Sequence, residues 1–350
     1  APCLSILEET EVDAQPSNYR LVKLPVLPAA PGNYFLDQVS LEEIKSNEVN
    51  VFSLPMGAGK TSAVKAALEG LRRVLVISDS IALSRTGAAD LGCVLYSDIP
   101  HGKEADYDRV VVCINSAHRF AYRLLHEAGQ GWDAVVLDES PSIMSALHSD
   151  IMRDGERALR AIEIACATAD QVFLCSADHN AEHLELMLDV IQKYRKDRQI
   201  THYVRPAMPG TRVCDLYTKT TWQGLLLEDV RDHVSHEQSE DGYSPGLYVW
   251  ITSQEKPGHW AKKISEIRPD LKVLEITAKN SQTKRVQVLL ADPIRMQQEY
   301  DVLIFSPSVK NGVSLTLPMR RVYQSISTAL PGRDILQATM RPRTILDHHI

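Results

Sequence analysis

Short runs of apolar and β-branched residues alternate along this chain with segments of helical spacing. The runs predict strands at 49–54, 73–78, 109–115, 134–138 and 171–176, then a second series at 213–217, 247–252, 272–277, 301–306 and 321–325. Many are continuous, such as Val110-Val111-Val112-Cys113-Ile114, rather than alternating. Strands covered on both faces read this way, and their alternation with helices implies mostly parallel sheets wrapped by helices. Two series of strands predict an α/β protein with two doubly wound domains. Pro206, Pro209 and Gly210 mark the junction, giving domains over 33–208 and 209–350. The prolines from Pro2 to Pro31 predict an irregular arm over 1–32, and the polar, turn-rich stretch 235–246 predicts an exposed loop.

One turn between a strand and a helix carries chemistry. Pro55-Met56-Gly57-Ala58-Gly59-Lys60-Thr61 follows the first strand, and Val64, Ala67, Leu68 and Leu71 then recur at helical spacing over 62–71. Strand, glycine turn, Lys-Thr and helix form the context of a phosphate-binding loop. Gly57 and Gly59 let backbone N–H groups, with those of Ala58 and Ser62, face phosphate oxygens. The helix N-terminus adds partial positive charge. Lys60 would reach the terminal phosphates of ATP, and the Thr61 hydroxyl would hold Mg²⁺. Leu54 stands where the long form of the motif has glycine, and the shortened form points to the helicase-like branch.

Other strand ends supply candidate partners. The strand at 134–138 ends in Asp138-Glu139, where ligands sit in open α/β sheets. Asp138 would hold Mg²⁺ and Glu139 would orient or deprotonate the attacking water, although a solvated strand end also reads this way. Ser176-Ala177-Asp178 is a candidate for coupling the γ-phosphate to movement, with a polar strand end as the alternative. In the second half, Gly312 permits a turn tight against nucleotide or strand, Ser308 is a candidate nucleic-acid contact, and Gln337, Arg341 and Arg343 together suit an arginine finger, with a solvated basic helix end as the alternative for either arginine alone. Ser80 and Arg85, then Ser116, His118 and Arg119, could bind nucleic-acid phosphates without reading sequence, with helix capping as the alternative for the serines. Tyr34 and Phe35 could stack on adenine or fill the core.

Composition narrows the class. The 350 residues are 44% hydrophobic and 24% charged, an ordinary globular balance with room for two domains. No apolar run approaches the ~18 residues of a membrane span. The start lacks the basic and apolar regions of a signal peptide, and the six cysteines form no Cys-x-x-Cys pair. A reducing compartment, cytoplasmic or nuclear, is expected, with Cys113 and Cys175 as buried thiols. The net charge of −7 argues against passive nucleic-acid binding but allows a motor that grips a strand locally.

The order of these motifs resembles superfamily 2 helicases. More narrowly, the chain is similar to the helicase region of herpesvirus origin-binding proteins and related plasmid and phage replication helicases. Residues 55–61, 116–119, 137–139, 180–181, 207–210, 312–314 and 341–343 carry that likeness. The resemblance implies two RecA-like domains that close over ATP and Mg²⁺ at their interface and walk along one strand, 3′ to 5′. The implied partners are single-stranded or forked DNA, with RNA open, and replication proteins. Asp178 stands where the family has Thr, and Met340 where it has Gly, which bears on coupling rather than on ATP binding. An origin-binding domain would lie beyond Arg343, so the expectation is a fragment or a different function. Translocation on duplex DNA without unwinding, protein remodelling, or an inactive scaffold are the alternatives.

Overall fold

The computed structural model describes residues 18–25, 35–55, 57–121, 131–148, 152, 154–177, 179–205, 219–236, 243–252, 256–281, 283–307, 313, 315–325, 338–339, 341–342 and 344–346. The chain divides into two units, Ala1–Pro209 and Gly210–Ile350.

The first unit holds β1 (Tyr19–Lys23), β2 (Val49–Ser53), β3 (Val74–Ser78), β4 (Val94–Leu95), β5 (Arg109–Cys113), β6 (Ala134–Asp138), β7 (Gln171–Ser176) and β8 (Ile200–Val204). They form one eight-stranded sheet in the order β1-β8-β2-β7-β6-β3-β5-β4, and every pairing is parallel. Alternate residues of each strand enter different cores. Val49, Val51, Leu75, Ile77, Val135, Leu137, Val172 and Leu174 fill one face. Phe52, Val74, Val76, Val136, Phe173 and Cys175 fill the other. This two-sided burial is why the strands read as unbroken apolar runs.

Three strands depart from the sequence reading. β1 lies inside the stretch expected to be an irregular arm, where it pairs with β8 from Tyr19↔Ile200 to Lys23↔Val204. It is an edge strand and largely solvent-facing, so it lacks the apolar run that marked the others. β8 carries Thr201 and His202 in buried positions, and those polar residues hid it. β4 is only two residues long.

The second unit holds β9 (Leu247–Ile251), β10 (Val273–Ile276), β11 (Val302–Phe305) and β12 (Arg321–Ser325), all parallel in the order β10-β11-β9-β12. Tyr248, Trp250, Leu303 and Phe305 pack on one face, and Leu247, Val249, Val302 and Ile304 on the other. The strand expected at 213–217 lies outside the described residues. The loop expected to be exposed over 235–246 begins buried: Ser235 and His236 are covered, and the His236 backbone N–H donates to the Asp301 carboxylate at 2.7 Å. No helix among the described residues is long and apolar enough to cross a membrane.

Arg198 locks the far end of the first sheet. It is wholly buried, and its guanidinium donates to the carbonyls of Cys166 at 2.8 Å and Asp170 at 3.2 Å, and also to that of Ala169. Cys166 lies in the last turn of the helix Gly155–Thr168, Ala169 caps it and Asp170 follows, so no later helical turn serves these carbonyls. Arg198→Met keeps bulk but removes this donor from all three, with Ala169 retaining only Arg195 Nη1 at 3.3 Å. We expect a loss of about 2–3 kcal/mol in urea unfolding of the first unit; a change below about 0.5 kcal/mol, typical of surface positions, would remove this role.

Candidate functional site

The parallel register gathers the predicted residues at one end of the first sheet. Ser53 of β2 stands opposite Ser176 of β7, Cys175 of β7 opposite Asp138 of β6, and Asp138 opposite Ser78 of β3. The segments leaving β2, β7, β6 and β3 therefore emerge side by side. They carry the glycine loop, Ser176-Ala177, Glu139 and Ser80 respectively.

The glycine loop is built as its composition requires. Gly57 and Gly59 adopt φ of 80° and 89°, a region open to glycine and strained for other residues. Gly59 caps a helix that runs Lys60–Ala67, two residues earlier than the apolar spacing suggested. Ala58 is buried, Pro55, Lys60 and Ser62 are half-buried, and Thr61 is exposed on the first turn. Lys60 Nζ donates to the carbonyl oxygens of Leu54 at 2.6 Å and Pro55 at 3.3 Å, so its ammonium is held over the mouth of the loop. Met56 lies outside the described residues.

Asp138 and Glu139 follow at the end of β6, one strand beyond β7 from the loop. Burial first, and then the adjacent Glu139 carboxylate, push the Asp138 carboxyl up to about 7, while Lys60 pulls it down. Glu139 has φ 56° and ψ 53° and is the non-glycine residue with positive φ among the described residues. Such a conformation costs on the order of 1–3 kcal/mol and marks sites where geometry outweighs stability. Ser176 Oγ donates to Glu139 Oε2 at 3.5 Å, which brings the first member of the coupling triplet to the carboxyl pair; Asp178 lies outside the described residues. No cluster of three His, Cys, Asp or Glu side chains suited to a metal occurs among the described residues. The donor set still fits Mg²⁺, which is commonly held by one or two carboxylates together with substrate phosphates and water.

The remaining candidates are placed less directly. Ser80 caps the helix Ile81–Leu91, its Oγ accepting from the Leu83 N–H at 3.3 Å. Arg85 lies on that helix. Ser116 and His118 are half-buried near the end of β5, and burial lowers the His118 pKa. Arg119 is engaged within the unit, with Nη2 at 2.7 Å from Glu104 Oε1. Phe35 is fully buried against Phe52 and Tyr203 and is a core residue. In the second unit Arg341 is 1% exposed beside Tyr248, and this burial lowers its pKa. Ser308, Gly312, Gln337 and Arg343 lie outside the described residues. Cys113 and Cys175 are buried free thiols, as expected.

Sequence reasoning missed His179, which meets Ser53 and Ser140 at this sheet end, His202, which meets Ser53, and Tyr19, which reaches His202 from the start of β1. No local spacing relates them. The one available signal was His179 itself, flanked by Asp178 and the capping Asn180 just past a strand end.

Comparison with known proteins accords with this geometry. A family model described as origin of replication binding protein matches residues 37–225, more than half of the chain. Among solved structures, the DEAD-box helicase Mss116 bound to ssRNA and UDP-BeF aligns with a TM-score of 0.66 at 13% identity, over 92% of this chain and 75% of its own. Dbp5 of S. cerevisiae, bound to RNA and ADP BeF3, aligns at 0.61 with 11% identity, over 87% and 81%. The Mycobacterium smegmatis helicase Lhr, bound to ssDNA and AMP-PNP, aligns at 0.58 with 14% identity, over 91% of this chain and 45% of its own. At these identities the likeness is one of fold, that of two-domain RecA-like superfamily 2 helicases. The comparison with curated proteins finds no match.

The raised Asp138 pKa has a measurable sign. Because the folded value of about 7 exceeds the ordinary 3.8, Asp138 favours folding below about pH 4 and loses that contribution as pH rises toward 7. With nucleotide absent and chelator present, wild type should lose stability relative to Asp138→Asn over that range. A difference between the two proteins that stays constant with pH would contradict the shift.

Proposed function

The chain belongs to the origin of replication binding protein family, and from that premise we propose that it is a nucleic-acid-dependent ATPase that moves along and unwinds DNA. The observation that carries this reading is the juxtaposition of the Lys60 loop and the Asp138-Glu139 corner at the ends of β2 and β6, the two strands that flank β7.

In this reading Pro55, Met56, Gly57, Ala58 and Gly59 form the cradle for the triphosphate, with Lys60 and Ser62 completing it. Lys60 exchanges its carbonyl partners for phosphate oxygens. Thr61 and Asp138 hold Mg²⁺, which when bound neutralises charge on the phosphates. Glu139 orients the attacking water and accepts its proton at a carboxylate oxygen. Glu139 turns with positive φ between β6 and the helix Ser140–Leu147, and its Oε2 lies 3.5 Å from Ser176 Oγ. Ser176, Ala177 and Asp178 pass the state of the site onward. Gly312, Gln337, Arg341 and Arg343 are the proposed phosphate-responsive group of the second unit.

The proposed track is single-stranded DNA at a fork, met through Ser80, Arg85, Ser116, His118, Arg119 and Ser308, in the replication of a viral, phage or plasmid genome with other replication proteins as partners. Support for a strand as ligand comes from the family match and from the helicase fold.

The test is ATP turnover across single-stranded DNA, duplex DNA and RNA in a salt series. Single strands should raise turnover, the effect should fall steeply with salt, and Lys60→Ala should abolish it. Equal turnover with and without nucleic acid would refute the motor. A strand-displacement assay then separates unwinding from movement on duplex, since the latter yields turnover without displaced strand.

A further inference from the structure

A chain of five side chains crosses the sheet beneath the site. It links β1, β8, β2, the segment after β7 and the helix after β6. Tyr19 OH meets His202 Nδ1. His202 Nε2 lies 2.6 Å from Ser53 Oγ, which lies 2.7 Å from His179 Nδ1. His179 Nε2 lies 2.6 Å from Ser140 Oγ. Ser53 immediately precedes Leu54 and Pro55, whose carbonyls hold Lys60, and Ser140 immediately follows Glu139. The chain therefore spans from the root of the phosphate loop to the strained carboxylate.

Proton counting gives this chain two states in which both ring protons and the Ser53 proton stay within it. Burial drives the His202 pKa down to about 4, so at neutral pH the ring is neutral, with one donor and one acceptor nitrogen. Burial pushes the Tyr19 hydroxyl up to about 12, so it keeps its proton. Each hydroxyl has one hydrogen. With neutral rings, if Tyr19 donates to His202, then His202 donates to Ser53, Ser53 to His179, and His179 to Ser140. If Ser140 donates instead, every bond reverses. A mixed order either has the Ser53 oxygen accept from both rings, which sends its own proton outside the chain, or asks one Ser53 proton to serve two acceptors.

We propose that this chain is a positioning relay, in which His179 grips Ser140 to hold the left-handed Glu139 in register with the strand that feeds the phosphate loop, and in which the tautomers of His179 and His202 switch together. His179 is thus a positioning residue, acting through Ser140 on Glu139, and the amino-terminal strand becomes part of the site through Tyr19. The functional side of the relay rests on the ATPase reading above, whereas the coupled tautomers do not.

The experiment uses the full chain with ¹⁵N-labelled histidine. Without nucleotide, Tyr19→Phe should shift the ring ¹⁵N resonances of His179, which Tyr19 does not touch, and Ser140→Ala should shift those of His202. A merely structural contact would move only the adjacent ring. In turnover, His179→Ala should lower kcat about 10–100-fold while leaving the Kd for ATP unchanged, the signature of lost positioning; His179→Gln, which keeps a donor and an acceptor, should recover part of it. Unchanged His179 resonances in Tyr19→Phe, or a His179→Ala defect confined to ATP binding, would overturn the relay. A wild-type chain without turnover but with coupled resonances would refute the ATPase reading and leave the relay standing.

Discussion

Everything at the site depends on the register of four parallel strands. β2, β7, β6 and β3 lie side by side although only β6 and β7 are consecutive strands of the chain, and they end together. A parallel ladder fixes each residue's partner, and a one-residue slip would turn each side chain to the opposite face. Such a slip would also part Ser53 from Ser176 and Asp138 from Cys175. The two apolar cores forbid it, because Val51 and Phe52, adjacent in β2, belong to different faces. Packing on both sides of the sheet is therefore what places the loop and the carboxylates within reach of one ligand.

The site tolerates conditions the rest of the sheet avoids. Asp138 is a carboxyl kept near neutrality's edge by burial and by Glu139, and Glu139 holds a backbone conformation that ordinary residues seldom adopt. Both are unfavourable for the isolated fold. Both are what a group that must receive a cation or a proton requires, since the arriving charge relieves the repulsion that burial imposes. The surrounding hydrogen bonds, from Ser176 to Glu139 and between His179 and Ser140, are the local restraints on that strained corner.

Much of this was legible in the residues. The unbroken runs in β3, β5, β6 and β7 announced buried parallel strands, and the Gly-x-Gly-Lys-Thr turn needed only its own spacing to be read. What escaped was non-local or polar. β8 is buried but carries Thr201 and His202. β1 is exposed on an edge among prolines, where neither period nor hydrophobicity stands out. The link between Tyr19 and His202 spans 183 residues, and no pattern along the chain encodes such a contact. Phe35 could be read two ways until the sheet showed it packed between Phe52 and Tyr203.

The tether on Lys60 has a consequence for affinity. A free lysine loses up to about 2 kcal/mol of rotamer freedom when it is immobilised. Here the carbonyls of Leu54 and Pro55 already restrict that stem, so the loss falls on folding rather than on ligand capture. The same carbonyls compete with any incoming anion, so a weakly charged ligand gains little by displacing them. On the phosphate-binding reading proposed for this loop, that competition favours a ligand of dense negative charge over a lone carboxylate.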